Sequence, residues 1–183
     1  YMCSYGGAML SVYDPKKPYH FGMDPDANPR DIGRMDDVSC RPVVMLVGPL
    51  GRVWTGSYPD YGMWGGPLAW YDPKTGEFGS CRHVLKDQSV CSLAWLERLE
   101  LIAGGTSVAG GSGTRPRAKC AAVFLWDPQK AEKVCDSNFG LSINAVIDML
   151  ALRDGLTYVV MNLRVGEASK NELILIDFEN RTI

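Results

Sequence analysis

The chain has 183 residues, of which 46% are hydrophobic and 22% charged, so it can bury a substantial core and is not a disordered tail. Its 19 basic and 21 acidic residues leave a formal net charge of -2, which gives no overall attraction to nucleic acid or to anionic membranes. No apolar run approaches the ~20 residues of a membrane-spanning helix, and strong runs such as PVVMLVG at 42–48 have the length of a β-strand.

Three segments of the chain share one order of predicted elements: a first apolar strand, a tight turn, a second strand, a longer polar loop, a third strand and a weak fourth strand. The first strands are predicted at 42–46, 90–95 and 145–150, and the second strands at 53–56, 101–104 and 157–160. Tight turns are predicted at 48–51 and 153–155, and fourth strands at 77–84 and 132–135. No run of helical length and periodicity stands apart from this pattern, so the predicted class is all-β.

The third strand of each segment ends in one short word, which also occurs once near the start of the chain. The four copies are VYDP at 12–15, WYDP at 70–73, LWDP at 125–128 and LIDF at 175–178. Their Asp residues are separated by 58, 55 and 50 residues, a period that is typical of repeat architectures. Because an Asp carboxylate at the start of a turn accepts hydrogen bonds from backbone N–H groups two residues on, we predict that these Asp residues form hairpin turns and are not catalytic.

The words, WYDPKTG above all, resemble the D-P-x-T-G blade repeats of bacterial β-propellers, a group that includes many proteins of carbohydrate handling and extracytoplasmic sensing. The resemblance implies a β-propeller of four-stranded antiparallel blades. The chain would form a single propeller segment with blades at approximately 1–20 (partial), 38–84, 88–136 and 143–183. The sequence does not fix the compartment, although the resemblance favours an extracytoplasmic one.

About three and a half blades are too few to close a propeller, which typically has ~4–8 blades. We therefore expect the remaining blades to come from a longer chain of which this is a fragment. The alternatives are a ring of several copies of this chain, or a different chain that supplies the rest.

The six cysteines and two histidines are scattered without any C-x-x-C pair, which argues against a zinc cluster. We expect free thiols inside strands, with one or two disulfides as the alternative. No metal and no cofactor is predicted.

Ligands of propellers commonly bind at the loops between the second and third strands, because loops are freed from packing. Two such loops, SYPDYGMWGG at 57–66 and GTSVAGGSGTRPRAK at 105–119, carry aromatic, acidic and basic groups suited to carbohydrate, including anionic sugars. A third loop, NLRVGEASKN, is predicted at 162–171. The predicted ligand-binding residues are Tyr58, Asp60, Tyr61, Trp64, Arg115, Arg117 and Lys119. The alternatives are that Tyr58 and Trp64 fill gaps between blades and that the glycine-rich loop is simply solvated.

The charged segment 20–41 is predicted to connect a fourth strand to the next first strand on the same end of the molecule. Its usual interpretation is a solvated surface network. Alternatively, His20 with Tyr19 and Arg41 could supply a base and a charge-neutralising group for elimination on a uronic acid. The predicted function is thus a carbohydrate-binding propeller, with a polysaccharide lyase or hydrolase as the alternative and a protein-interaction scaffold as the second alternative. The sequence leaves open whether the protein is an enzyme.

Overall fold

The protein is built from antiparallel β-strands in a computed structural model, which describes residues 1–153 and 155–183. The strands are β1 (Met2–Ser4), β2 (Met9–Val12), β3 (Arg30–Arg34), β4 (Ser39–Val47), β5 (Val53–Pro59), β6 (Leu68–Tyr71), β7 (Phe78–Cys81), β8 (Ser89–Leu96), β9 (Leu101–Ser107), β10 (Val123–Asp127), β11 (Glu132–Ser137), β12 (Ile143–Ala151), β13 (Leu156–Val165) and β14 (Ala168–Asp177). Two 3₁₀ turns, Pro49–Gly51 and Glu97–Leu99, complete the regular structure. The predicted all-β class is confirmed, and the described residues include no helix with the length and apolarity of a membrane span.

Strands that are neighbours in sequence pair in order, so the chain forms four successive meanders. The first meander is β1–β3, the second β4–β7, the third β8–β11 and the fourth β12–β14. A single residue pair, Ala145 with Ser107, joins the third and fourth meanders into one seven-stranded sheet. In the pairing that the structure describes, no sheet closes on itself.

The hydrophobic core lies between successive meanders rather than within any one of them. In β5, Val53 packs towards the first meander and its neighbour Trp54 packs towards the third. In β9, Ile102 likewise packs towards the second meander and Ala103 towards the fourth. Successive side chains of a strand point to opposite faces of its sheet, so this alternation means that the second and third meanders are each covered on both faces.

The repeated word forms a turn in all four copies, as the sequence predicts. Each Asp accepts a hydrogen bond from a backbone N–H two or three residues on. The donor and acceptor residues, with their N···O distances, are Lys16 and Asp14 at 2.9 Å, Lys74 and Asp72 at 3.0 Å, Gln129 and Asp127 at 2.9 Å, and Asn180 and Asp177 at 3.0 Å. The N–H of Lys74 is the main reason why the pKa of Asp72 is lowered, because it stabilises the charged carboxylate.

Three of these turns place the fourth residue after the Asp in the left-handed region. Gly76 has a φ of 77°, whereas Ala131 and Arg181 hold φ values of 54° and 56°. A residue with a side chain is destabilised in this conformation by roughly 1–2 kcal/mol. Replacement by glycine removes this cost but adds roughly 0.5–1 kcal/mol, because glycine loses more chain entropy on folding. We therefore expect Ala131→Gly to raise the free energy of unfolding by about 0.5–1 kcal/mol.

Urea denaturation of Ala131→Gly and of the reverse change, Gly76→Ala, measures this effect. A Cβ at Gly76 would meet nothing within 4 Å, so its cost is that of the backbone alone and Gly76→Ala should destabilise by a similar amount. A destabilised Ala131→Gly variant would contradict the interpretation.

Two segments that were predicted as loops are strands. Residues 162–171, predicted as a loop, are a continuous ladder in which Asn162 pairs with Asn171 and only residues 166–167 form the turn. Within 20–41, predicted as a connection, β3 pairs with β2. The sequence RDIGR of β3 gave no apolar signal because a short edge strand exposes most of its side chains and is commonly charged. The predicted turn at 153–155 includes Asp154, which lies outside the described residues.

Candidate functional site

One end of the meanders carries the connections between the predicted second and third strands. Consecutive connections of an antiparallel meander alternate between its two ends, so these loops lie opposite the Asp turns. We call this end the loop face, and it consists of residues 5–8, 60–67 and 108–122 together with Arg41 and Arg82.

The two long loops of this face contact each other through their backbones. The N–H of Gly62 donates to the carbonyl of Ser112 at 3.0 Å, and the N–H of Gly111 donates to the carbonyl of Met63 at 2.9 Å. A Cβ at Gly111 would overlap the carbonyl oxygen of Asp60. The glycine-rich sequence of the second loop therefore permits close approach to the first, so the two predicted loops form one surface.

Trp64 and Arg117 contact each other, although they were predicted as separate ligand contacts. The Arg117 guanidinium carbon lies 3.4 Å from the centroid of the half-buried Trp64 ring, and the indole N–H donates to the carbonyl of Arg115 at 2.9 Å. Arg82 donates to the carbonyl of Trp64 at 2.8 Å through Nη2. One face of the Trp64 ring is thus already covered by a cation, which leaves this ring less open to a sugar than the sequence suggests.

The side chains of Tyr58 and Asp60 are half-buried and pack within the protein, so less of each is exposed to a ligand than the sequence suggests. Burial is the main reason why the pKa of Tyr58 is raised. Oδ1 of Asp60 accepts from the backbone N–H of Tyr61 at 2.8 Å. Among the predicted ligand residues, the exposed side chains are instead those of Tyr61, Arg115, Arg117 and Lys119.

An exposed group on this face joins four distant parts of the chain, and we call it the Tyr5–Arg41 cluster. The hydroxyl groups of Tyr5 and Tyr61 are 3.0 Å apart. The guanidinium carbon of Arg41 lies 5.5 Å from the Tyr5 ring centroid, and its Nη2 donates to Oγ of Ser112 at 3.4 Å. Sequence reasoning missed Tyr5 and Ser112 in this role. The aromatic-Gly-Gly word shared by Tyr5-Gly6-Gly7 and Trp64-Gly65-Gly66 could have indicated Tyr5.

The loop face carries positive charge that the protein itself does not neutralise. Its basic residues are Arg41, Arg82, Arg115, Arg117 and Lys119. None of them forms an ion pair with a carboxylate among residues 1–153 and 155–183. The loop face as defined contains one acidic residue, Asp60, against these five cations.

The predicted catalytic residues do not come together. Tyr19 and His20 lie in the connection between β2 and β3, beyond the end of β2, whereas Arg41 lies beside the residues that precede β2. The four residues of β2 separate them by roughly 10 Å or more. His20 hydrogen-bonds through Nε2 to Oδ2 of Asp24 at 2.9 Å instead.

The second histidine is also unsuited to act as a base. Nδ1 of His83 accepts a hydrogen bond from the backbone N–H of Asp87 at 3.1 Å. In the neutral ring, Nε2 then carries the proton and has no free lone pair. Among the described residues, no group of three His, Cys, Asp or Glu side chains could hold a metal ion, and the six cysteines are free thiols.

No family model matches the chain, and no curated protein matches it significantly. Among solved structures, it is similar to the extracellular domain of a proposed one component system, BT4673, from B. thetaiotaomicron, with 13% identity and a TM-score of 0.43 over 76% of this chain. A second structure, described as the extracellular domain of a proposed hybrid two component system BT4673 of the same organism, gives 13% identity and a TM-score of 0.44 over 77% of this chain. The chain spans 17% of the length of each.

Proposed function

We propose that the protein is a ligand-binding protein that recognises carbohydrate through its loop face. The observation that supports this most is the set of basic side chains without carboxylate partners beside the exposed rings of Tyr5 and Tyr61. An aromatic ring packs against the apolar face of a sugar, and guanidinium groups donate hydrogen bonds to its oxygen atoms. The backbone contacts between the two loops hold these groups in place before a ligand arrives, which lowers the entropic cost of binding.

We also propose that the four meanders are blades of a β-propeller. The support is the alternation of the core, because each internal face of a meander packs on the next one, as blades do. The outer face of the fourth meander would then be covered by a further blade, from a longer chain or from a second copy. The extracytoplasmic location that the D-P-x-T-G resemblance implies belongs to the same proposal.

No reaction is proposed, because the histidines are not placed for catalysis. His20 lies at the end opposite the loop face, and Nδ1 of His83 is occupied by a backbone N–H. The loop face therefore supports binding better than elimination or hydrolysis.

Tyr61→Ala tests the proposed function. Because the Tyr61 side chain is 63% exposed, its removal should leave the fold intact and weaken oligosaccharide binding about tenfold, the effect of losing one stacked ring at about 1.4 kcal/mol. Isothermal titration calorimetry against a panel of neutral and acidic oligosaccharides measures the change.

The matched control is Tyr13→Ala, a 43% exposed tyrosine away from the loop face, which should bind as the wild type does. The proposal would be wrong if the wild-type protein bound no member of the panel, or if both variants bound equally well.

A further inference from the structure

A cleft of about 380 Å³ lies beside the Tyr5–Arg41 cluster, between the first and second meanders. This volume falls within the range of about 300–1,000 Å³ that is usual for small-ligand sites. Tyr5, Tyr61, Asp60 and Arg34 line it, and Arg41 lies over the Tyr5 ring.

One guanidinium group, Arg34, and one carboxylate, Asp60, line the cleft, and a second guanidinium group, Arg41, lies beside it over the Tyr5 ring. Arg34 is held by neutral carbonyls, since its Nε donates to Gly7 at 2.9 Å and its Nη2 donates to Ser39 at 3.3 Å. Arg41 has one hydrogen bond, to the neutral hydroxyl of Ser112, among the residues that the structure describes. A guanidinium has five N–H donors, so Arg41 retains donors for a ligand, and its charge has no carboxylate partner within 4 Å in the described chain.

The tyrosine pair adds a further donor. Either hydroxyl can donate in the hydrogen bond between Tyr5 and Tyr61, and a ligand acceptor beside Tyr5 favours the arrangement in which Tyr61 donates. The hydroxyl hydrogen of Tyr5 then remains available to a ligand. Asp60 uses Oδ1 to accept from the backbone N–H of Tyr61, and its carboxylate can accept further hydrogen bonds from sugar hydroxyls.

We propose that this cleft binds a sugar unit that carries a carboxylate. The carboxylate would accept hydrogen bonds from Arg41 and Tyr5, the ring would pack against Tyr61, and a hydroxyl would donate to Asp60. A neutral sugar leaves Arg41 without a charged partner, and a simple anion leaves Asp60 and the Tyr61 ring unused. This inference rests on the proposed function and specifies the class of ligand.

The test compares two probes with the same sugar chain, an oligogalacturonate with free carboxylates and its fully methyl-esterified form, which is uncharged. We expect the wild-type protein to bind the acid at least tenfold more tightly than the ester, and this preference should shrink as salt is added, because salt screens exposed charges. Arg41→Ala should reduce the ratio of the two dissociation constants to about one while ester binding remains, since one charge-assisted pair is worth roughly tenfold.

The control is Arg30→Ala, which removes an exposed cation at the end of β3 opposite Arg34, outside the loop face, and should retain the preference for the acid. Tyr5→Phe retains the ring and should lose part of that preference. Thermal unfolding of each variant checks that it folds. Equal binding of acid and ester by the wild type would overturn this inference and leave the proposed function intact, whereas binding of neither probe nor any neutral oligosaccharide would overturn both.

Discussion

Phe124→Ala is expected to lower the free energy of unfolding by about 3–5 kcal/mol, the usual cost of removing a fully buried aromatic side chain. Phe124 is 0% exposed and belongs to the core between the second and third meanders, together with Trp54 and Trp126. In the described pairing no strand of the second meander joins a strand of the third. Side-chain packing therefore holds the two meanders together in this core, and backbone hydrogen bonds join them at the loop face. Loss of the ring should therefore destabilise both meanders.

Equilibrium denaturation in urea, followed by tryptophan fluorescence, measures the loss. The matched control is Phe21→Ala, which makes the same chemical change at a side chain that is 80% exposed, and its stability should change by less than about 0.5 kcal/mol. A small effect of Phe124→Ala, equal to that of Phe21→Ala, would show that the two meanders do not pack face to face.

Leu150→Lys combined with Leu173→Lys is expected to abolish self-association of the 183-residue chain. The outer face of the fourth meander presents these leucines at 63% and 66% exposure, with Tyr158 and Leu175 at 40% each. Strand pairing brings Leu150 beside Tyr158 and Tyr158 beside Leu175, so the exposed side chains are contiguous. A contiguous apolar face of this kind is rare on monomers and marks a contact surface.

Burial of one leucine contributes about 1.5–3 kcal/mol, so the two substitutions should raise the dissociation constant at least tenfold. Light scattering should give a mass above 20.1 kDa for the wild-type chain and 20.1 kDa for the double variant. The control is Val47→Lys, at an apolar residue that is 58% exposed outside this face, and it should associate as the wild type does. A wild-type chain that stays at 20.1 kDa at every concentration would contradict the expectation.

The strand order and the Asp turns were predictable from sequence because both depend on local chemistry. An apolar run of strand length, a Gly or Asp turn and a carboxylate that accepts a nearby N–H are all set by residues close together in the chain. The predicted strands at 42–46, 90–95 and 145–150 accordingly lie within β4, β8 and β12.

β3 and the hairpin at 162–171 escaped prediction because their sequences carry no apolar alternation. β3 consists of RDIGR, and the polar side chains of residues 162–171 made a β-hairpin read as a loop. In that hairpin the side chain of Asn162 donates to Asn171 at 2.8 Å and that of Asn144 donates to Asn162 at 3.0 Å. Hydrogen bonds between amide side chains of neighbouring strands take the place of the apolar contacts from which a strand is predicted.

The Tyr5–Arg41 cluster could not be predicted because its members are far apart in the chain. Tyr5 and Tyr61 are 56 residues apart, and Arg41 and Ser112 are 71 residues apart. Only the stacking of the first, second and third meanders brings them together. The sequence identified the loops of the face, but the pairing of Arg117 with Trp64 and the open position of Tyr61 depend on tertiary packing.

The loops at this end of the molecule differ in how much their length can change, because the two long loops are in backbone contact. Because Gly62 and Gly111 are held by hydrogen bonds to Ser112 and Met63, a change of length in either loop would displace the other. The two-residue turn at 166–167 connects only its own strands and can accept an inserted peptide without such an effect. A peptide that adds new ligand contacts could therefore be inserted in the fourth meander. The two long loops must instead keep their lengths, because each holds the other in place.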